Sequence, residues 1–335
     1  MLTGSQTMSR LAPFALACLL VAMNARAEWY EREEAIMGTR VAVQLWATDP
    51  DLAARAMAAV MADMRRTDEL MSTYKPESQL SQVNDHAFER PVKVDPDIID
   101  VVEKSLEYSR LSNGAFDITY ASVGYLYDYR SHVHPTQAQI DAALPSVDYR
   151  QLRVDAKANT IRFLHQGMRI DLGGIAKGWA VDRGVEILRR MGIEHAMVNA
   201  GGDTRLLGDR LGKPWVVGIR DPRKDNAVVT RIPLEDEAIS TSGDYERFFE
   251  EDGVRYHHIL VPGTGKSPGL VRSVTVIGAT ATHTDGLTKP IFILGVERGM
   301  EFVRRVKDVE AVIVDNEGRI FYSPGLEPPE AARAR

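Results

Sequence analysis

Apolar residues recur along this chain in two rhythms. Over residues 49–71, Val60, Met61 and Met64 keep the i, i+1, i+4 spacing of one helix face, and Asp49-Pro50 start that helix well. Ile98, Val101, Val102 and Leu106 repeat the pattern over 97–111, which Asn113-Gly114 closes with a residue able to adopt positive φ. Residues 176–191, ended by Gly192, predict a third helix. Residues 283–294 and 296–306 predict two more, with Pro290 awkward inside the first. Strands are predicted at 40–46, 196–199, 215–219 and the β-branched run 271–277. Hairpins are predicted for 152–154 with 160–164 and for 311–314 with 319–322. No regular βαβ rhythm and no repeat appears, so the pattern implies one α+β or α/β unit, read as two-lobed.

The first 27 residues stand apart. Arg10 precedes an apolar run at 11–23, and Ala25-Arg26-Ala27 supplies a small-x-small cleavage pattern. That run is too short to span a bilayer of about 30 Å. A cleavable secretory signal is the reading, against a plain buried helix or a lipid on Cys18. Residues 28–323 then form the working domain, and the Pro- and Ala-rich stretch 324–335 a flexible tail.

Composition narrows the classes. With 335 residues, 44% hydrophobic, 47 acidic against 41 basic and a formal charge of −6, the chain is neither disordered nor a polytopic membrane protein, and it lacks the basic excess of a nucleic-acid binder. Its one cysteine, Cys18, leaves with the signal. The mature chain therefore has no disulfide, no thiolate nucleophile and no thiolate metal site. The signal also removes Arg10 and Arg26 but no acid, so the mature chain is more acidic. Lys177 and Lys289 then stand out as a local place for phosphate.

Five clusters could carry chemistry. In the run from Ile170 to Ala180, a strand ending at Asp171, two glycines and a helix start would point N–H groups at an anion, with Lys177 one turn in; a plain strand-to-helix turn reads equally well. Asn199-Ala200-Gly201-Gly202-Asp203 reads first as a tight turn. Ser240-Thr241-Ser242-Gly243 suits phosphate or ribose contacts, or a capped turn. Gly265-Lys266-Ser267 imitates a P-loop tail, but Leu260 stands where its first glycine belongs, so an NTPase is rejected. Asp285 and Thr288 share a helix face and could hold a hard cation, or merely cap the helix. His132 and His134 lack further ligands for zinc.

Taken together, the pieces resemble the ApbE family, the FAD:protein FMN transferases. The likeness runs from Met37-Gly38-Thr39 through Ser72-Thr73-Tyr74, Ser78-Gln79-Leu80-Ser81 and Asn84. It continues through Gly114-Ala115-Phe116-Asp117, the Asp171-to-Ala180 run, Gly201-Gly202-Asp203 and Thr241-Ser242-Gly243-Asp244-Tyr245, to His258-Ile259 and the run from Asp285 to Gly295. The resemblance implies a T-fold-like unit of mixed sheets flanked by helices. It implies cleavage of FAD and attachment of FMN, through a phosphoester, to a Thr or Ser of an acceptor protein. By that resemblance Met37, Tyr74, Ala115, Phe116, Asp117, Asp171, Lys177 and Ile259 would contact FAD. Gly174, through its carbonyl, and Asp285 would hold Mg2+, with Thr288 or water completing the shell. His258 would be the general base, and Asp285 would serve catalysis through the metal.

Those residue types suit the chemistry, since splitting a pyrophosphate requires charge neutralisation while the nucleophile arrives on the partner. Two positions depart from the family pattern: Val261 replaces an aspartate before Pro262, and Lys289 replaces a threonine four residues after Asp285. The Lys289 ammonium could partly replace the metal's charge, or metal affinity could be lost. The leading expectation is an exported, periplasmic flavin transferase, inner-membrane association being an alternative, acting on a periplasmic or membrane-bound redox protein. A Mg2+-dependent FAD pyrophosphatase and a non-catalytic FAD-binding protein are the alternatives.

Overall fold

The computed structural model describes residues 27–224 and 227–326; the expected signal segment up to residue 26, and the chain from 327 on, lie outside the described residues. The described chain opens with an antiparallel hairpin, β1 (Glu28–Ile36) and β2 (Thr39–Ala47). Met37 and Gly38 turn it with positive φ of 55° and 67°, as the twist of a two-residue hairpin requires. The apolar pattern gives no sign of β1. It is an edge strand bearing Glu31, Arg32, Glu33 and Glu34, charges that also guard the edge against pairing.

Helix α1 (Pro50–Met71) is capped by Asp49, whose Oδ1 accepts the Asp51 N–H at 2.9 Å. Short α2 (Gln79–His86) and β3 (Val92–Lys93) lead to α3 (Pro96–Leu111), capped by Asp95. Helices α4 (Ala121–Gly124) and α5 (Gln137–Ala143) precede the hairpin β4 (Leu152–Asp155) and β5 (Thr160–Phe163). Then come α6 (Ala176–Arg190), β6 (Ala196–Ala200), β7 (Asp203–Leu207), β8 (Trp215–Arg220), β9 (Val228–Leu234) and β10 (Ala238–Gly243). The chain continues through β11 (Phe248–Glu251), β12 (Val254–His257), β13 (Val271–Gly278), α7 (Ala281–Arg305), β14 (Val309–Asp315) and β15 (Ile320–Tyr322).

Eight strands make one sheet in the order β1-β2-β6-β7-β10-β13-β14-β15. Every pairing in it is antiparallel, so the choice between α/β and α+β falls to α+β. Alternation along the strands sorts the two faces. Val274, Val276, Ala311 and Ile313 join the main core beneath α1, α6 and α7, while Ile239, Ile277 and Val312 face the β8–β9 hairpin with Trp215 and Leu206. A smaller cluster of Val123, Tyr127, Ile140 and Leu260 ties α4 and α5 to the segment after β12.

Helix α7 is broken at Gly295, with φ 77° and ψ −174°, where the pattern divides two helices. The expected tail begins instead with a 3-10 turn, Pro324–Leu326. The Ser323 Oγ accepts the Ala311 N–H at 2.8 Å and the Gly325 N–H donates to Glu310 at 3.2 Å.

Candidate active site at the crossing of α6 and α7

Helices α6 and α7 meet at Gly178. A Cβ there would lie 2.3 Å from the Ala281 carbonyl oxygen and 2.7 Å from Asp285 Cβ, so only glycine permits the approach. Each helix caps the other. Asp285 of α7 accepts the Gly178 N–H at 3.1 Å near the start of α6, whose own N-cap residue makes no side-chain bond. In return, Asp182 of α6 accepts the Ala281 and Thr282 N–H groups at 2.8 and 2.7 Å. These are N–H groups with no intrahelical partner, and the carboxylates satisfy them. Strand β10 holds α7 from beneath: Ser240 shares a hydrogen bond with Thr284 and Ser242 with Thr288, each 2.8 Å long. Ser240 and Ser242, candidate ligand contacts by sequence, thus lie in a strand and spend their hydroxyls within the fold.

Four charges converge at the crossing. Lys177 Nζ lies 3.0 Å from Asp203 Oδ2 and 3.7 Å from Asp285 Oδ2. Lys289 pairs with Asp285 Oδ1 and donates to the Asp285 carbonyl at 3.1 Å. Both acids are buried. Burial would raise the Asp285 carboxyl, but Lys177, Lys289 and the Gly178 N–H outweigh it and hold it below the usual carboxylate value. Asp203 is raised, by burial and by the Asp285 charge. Burial opposes the Lys177 charge, yet Asp203 and Asp285 lift it well above the ordinary lysine value. At Lys289 burial prevails, reinforced by Lys177, and lowers the ammonium's pKa against the pull of Asp285.

His258 sits beside this cluster. Its main-chain N–H donates to the Arg247 carbonyl at 3.1 Å, and its Nδ1 is buried with no hydrogen-bond partner among the described residues. Burial first, then Arg247, His257, Lys289 and Lys177, depress its pKa to about 3. The ring is neutral across the physiological range, rather than titrating near 6.5 as an ordinary histidine would. His257 instead donates its Nε2–H to the Pro268 carbonyl, 2.9 Å away, and packs edge-on against Phe292. Arg247 is exposed, and its guanidinium makes no hydrogen bond or ion pair with the described residues. It reaches the Met37-Gly38 turn, 3.4 Å from where a Gly38 Cβ would stand. Sequence reasoning missed Arg247 altogether and named Asp203 only within a glycine turn.

The remaining expected residues divide. Asp171 lies near the cluster, but in an irregular stretch rather than a strand end. The Asn84 amide substitutes for a neighbouring strand there, bonding the Ile170 carbonyl at 2.9 Å and its N–H at 2.7 Å. Asp171 accepts from Thr73 at 3.0 Å and Tyr120 at 3.3 Å, and the adjoining Tyr74 is 78% exposed. Phe116 packs 3.5 Å from where a Gly174 Cβ would stand. Half-buried Ala115 lines a cavity of about 560 Å3 with Val261, Pro262, Leu294 and Arg298. Two more expected residues are engaged within the fold. Asp117 is buried and consumed by the Thr119 N–H and hydroxyl and the Tyr149 N–H, at 2.8, 2.6 and 3.0 Å, so it braces a loop. Ile259 belongs to the main core. His132 and His134 stack on Phe249, and His134 pairs with Glu251 at 2.9 Å.

The donors expected for Mg2+ do not fit a metal. The Thr288 hydroxyl donates to the Asp285 carbonyl at 2.8 Å and meets Ser242, with no exposure. Asp285 is bonded by Lys289 on one oxygen and by Gly178 on the other. The Lys289 stem crosses Gly174, its Cε 3.7 Å from where a Cβ would be. Among the described residues no cluster of three His, Cys, Asp or Glu could hold a metal. An ammonium thus sits where the ion would be held.

Relatives agree with this architecture. The chain is 37% identical over 245 residues, 71% of its length and 72% of the relative's, to the FAD:protein FMN transferase of Vibrio cholerae. It is 30% identical over 298 residues to that of Klebsiella pneumoniae, covering 88% and 92% of the two chains. The crystal structure of the ApbE protein from Thermotoga maritima superposes with a TM-score of 0.83 at 34% identity, over 89% of this chain and 98% of that one. The ApbE family model matches residues 37–313, and the chain belongs to the ApbE family.

Proposed function

We propose that this chain is a FAD:protein FMN transferase. The observation that carries the reading is the neutral His258 ring, which has an unpartnered nitrogen and lies among the cations Arg247, Lys289 and Lys177. A neutral base with a buried nitrogen, under the influence of three cations, is an arrangement suited to a polyanion that delivers a proton-bearing nucleophile nearby. The FAD pyrophosphate is such an anion, and family membership selects it among phosphates.

The acceptor's hydroxyl oxygen attacks the FMN-side phosphorus. The P–O bond to the AMP phosphate breaks, AMP leaves with that electron pair, and the hydroxyl proton passes to His258. Lys177, fixed by Asp203 and Asp285, and Arg247 offset charge on the phosphates. The same anionic charge opposes the cations that depress His258, so its basicity rises as substrate binds. Proton acceptance of this kind contributes on the order of 10² to 10⁴-fold. The Mg2+ implied by resemblance enters no step, because its donor set is taken.

The acceptor is read as a periplasmic or membrane-bound redox protein, and the site of action as the periplasm. Arg10, the apolar run at 11–23 and Ala25-Arg26-Ala27 support export. One assay tests the reading: the protein is incubated with FAD and an acceptor bearing a flavinylation motif, and acceptor mass, free FMN and AMP are measured. A mass gain of one FMN with release of AMP is expected. Free FMN and AMP without that gain would make the chain a pyrophosphatase, and intact bound FAD would make it a binding protein.

A further inference from the structure

We infer that the Lys289 ammonium is a built-in substitute for a divalent cation, so that this chain binds FAD and transfers FMN without metal. The inference rests on the flavin-transferase reading but adds a property of its own. Three features of the crossing support it. The ammonium bonds the carboxylate and the main-chain carbonyl of Asp285 together, the concentration of oxygen that a hard cation would seek. Its stem passes beside Gly174, Cε lying 3.7 Å from where a Cβ would stand, so the ammonium reaches Asp285 across the glycine expected to lend the other ligand. The remaining donor, Thr288, is turned into the α7–β10 interface and is fully buried there.

A magnesium ion sits about 2.1 Å from its oxygen ligands. Bound to Asp285 Oδ1, it would face the Lys289 ammonium across one oxygen atom, and the two cations would repel strongly in a buried site. A lysine is a point cation able to serve phosphate. Here it is held by one turn of α7 and by Asp285, so it needs no ion from solution. Lys177 is the second such cation, but its anchor includes Asp203 in β7, so the two lysines approach the phosphate position from different elements.

The test uses the full mature protein, stripped with EDTA. Manganese serves as the metal probe, read by the electron paramagnetic resonance signal of the free ion, with and without FAD. Flavin fluorescence reports FAD binding, and acceptor mass reports transfer. FAD binding and FMN transfer in EDTA within about twofold of their values in Mg2+, with the manganese signal unattenuated, are expected. Lys289→Thr is expected to lose on the order of 10²-fold in transfer in EDTA, as removal of one charge stabiliser does. It should recover with Mg2+ and take up manganese. Transfer by the natural protein that stops in EDTA and returns with Mg2+ would overturn the inference. So would stoichiometric manganese uptake in the presence of FAD, which would mean that the nucleotide displaces Lys289 and recruits an ion. If no acceptor gains FMN under any condition, the transferase reading fails and metal-free transfer falls with it; FAD binding in EDTA without manganese uptake would then uphold the ammonium as the cation of the binding step, and manganese uptake with FAD would overturn that too. Should Lys289→Thr not fold, the natural protein's measurements stand alone.

Discussion

Gly178→Ala isolates the geometry on which the site depends. In an ordinary helix interior the change would stabilise by about 1 kcal/mol, because alanine loses less backbone freedom than glycine. Here the added methyl would lie 2.3 Å from the Ala281 carbonyl oxygen and 2.7 Å from Asp285 Cβ. Carbon needs about 3.5 Å or more from its neighbours, so α6 and α7 must separate by roughly an ångström. Neither obstacle is the far end of a flexible side chain. Overpacking of this kind costs about 1–3 kcal/mol. Lengthening the Gly178–Asp285 bond from 3.1 Å adds about 1 kcal/mol or more, since the acceptor is a charged carboxylate. The expected net is a loss of about 1–3 kcal/mol, read as a lower urea midpoint at unchanged slope. Transfer, measured well below the unfolding transition, should fall by about 10²-fold, as a misplacement of 1 Å at a reacting centre does. Gly184→Ala is the control. Its methyl would meet side-chain carbons, those of Val60 and Val198 at 3.0 and 3.1 Å and Met64 Cε at 3.6 Å, and no backbone of another element as close. It should leave transfer unchanged and stability nearly so. A Gly178→Ala protein as stable and as active as the natural one would refute the close crossing.

Two further outcomes follow from the same site. Asp182→Ala removes the acceptor for the Ala281 and Thr282 N–H groups and a partner of Arg205, and should cost about 1–2 kcal/mol in urea unfolding; an unchanged midpoint would show that α7 starts without it. For pH, His258, His257 and His283 all sit below the ordinary histidine value, chiefly through burial. The folded protein therefore binds fewer protons than the unfolded chain between the folded values and about 6.5. The stability they contribute is fully present above pH about 6.5 and is lost as pH falls toward the folded values, at up to about 1.4 kcal/mol per unit for each ring. By NMR, His258 should titrate near 3 in the free protein and higher with FAD bound. A free-protein value near 6.5 would sink the assignment.

What could be read from the chain, and what could not, divides along physical lines. Helices α1 and α3 announce themselves because an acid, a proline and an apolar face coincide locally at Asp49-Pro50 and Asp95-Pro96. Strand β1 hides because an edge strand needs no alternation and carries charge. The order of the motifs pointed to the right family. What no local pattern contains is pairing across distance. Asp285 caps a helix start 107 residues away, Asn84 substitutes for a strand beside Ile170, and Ser242 faces Thr288. The packing of Asp117 and Ile259 is likewise invisible to any local pattern. A motif position says that a residue matters, whereas only packing says whether its side chain points at a ligand or braces the loop that does.

Asp285 joins fold and function so closely that its own substitution is a poor probe. Its carboxylate ends the orphan N–H of α6, neutralises Lys289 and faces Lys177, and removing it would leave Lys289 without its carboxylate and Lys177 with Asp203 alone, at a cost of several kcal/mol. Lys289 is the separable member, because a threonine there removes a cation without uncapping either helix. The two departures from the family pattern then read as one change. Val261 removes an acid and Lys289 adds a base, so the site is more positive by two formal charges, the charge of the ion whose donors are taken. Val261 lines the cavity beside Ala115, and its turn is closed from the Val261 N–H to the Lys266 carbonyl at 2.9 Å and from the Gly265 N–H to the Val261 carbonyl at 2.8 Å, with the Tyr127 hydroxyl donating to the Gly265 carbonyl at 2.8 Å. Among the described residues no carboxylate holds that turn.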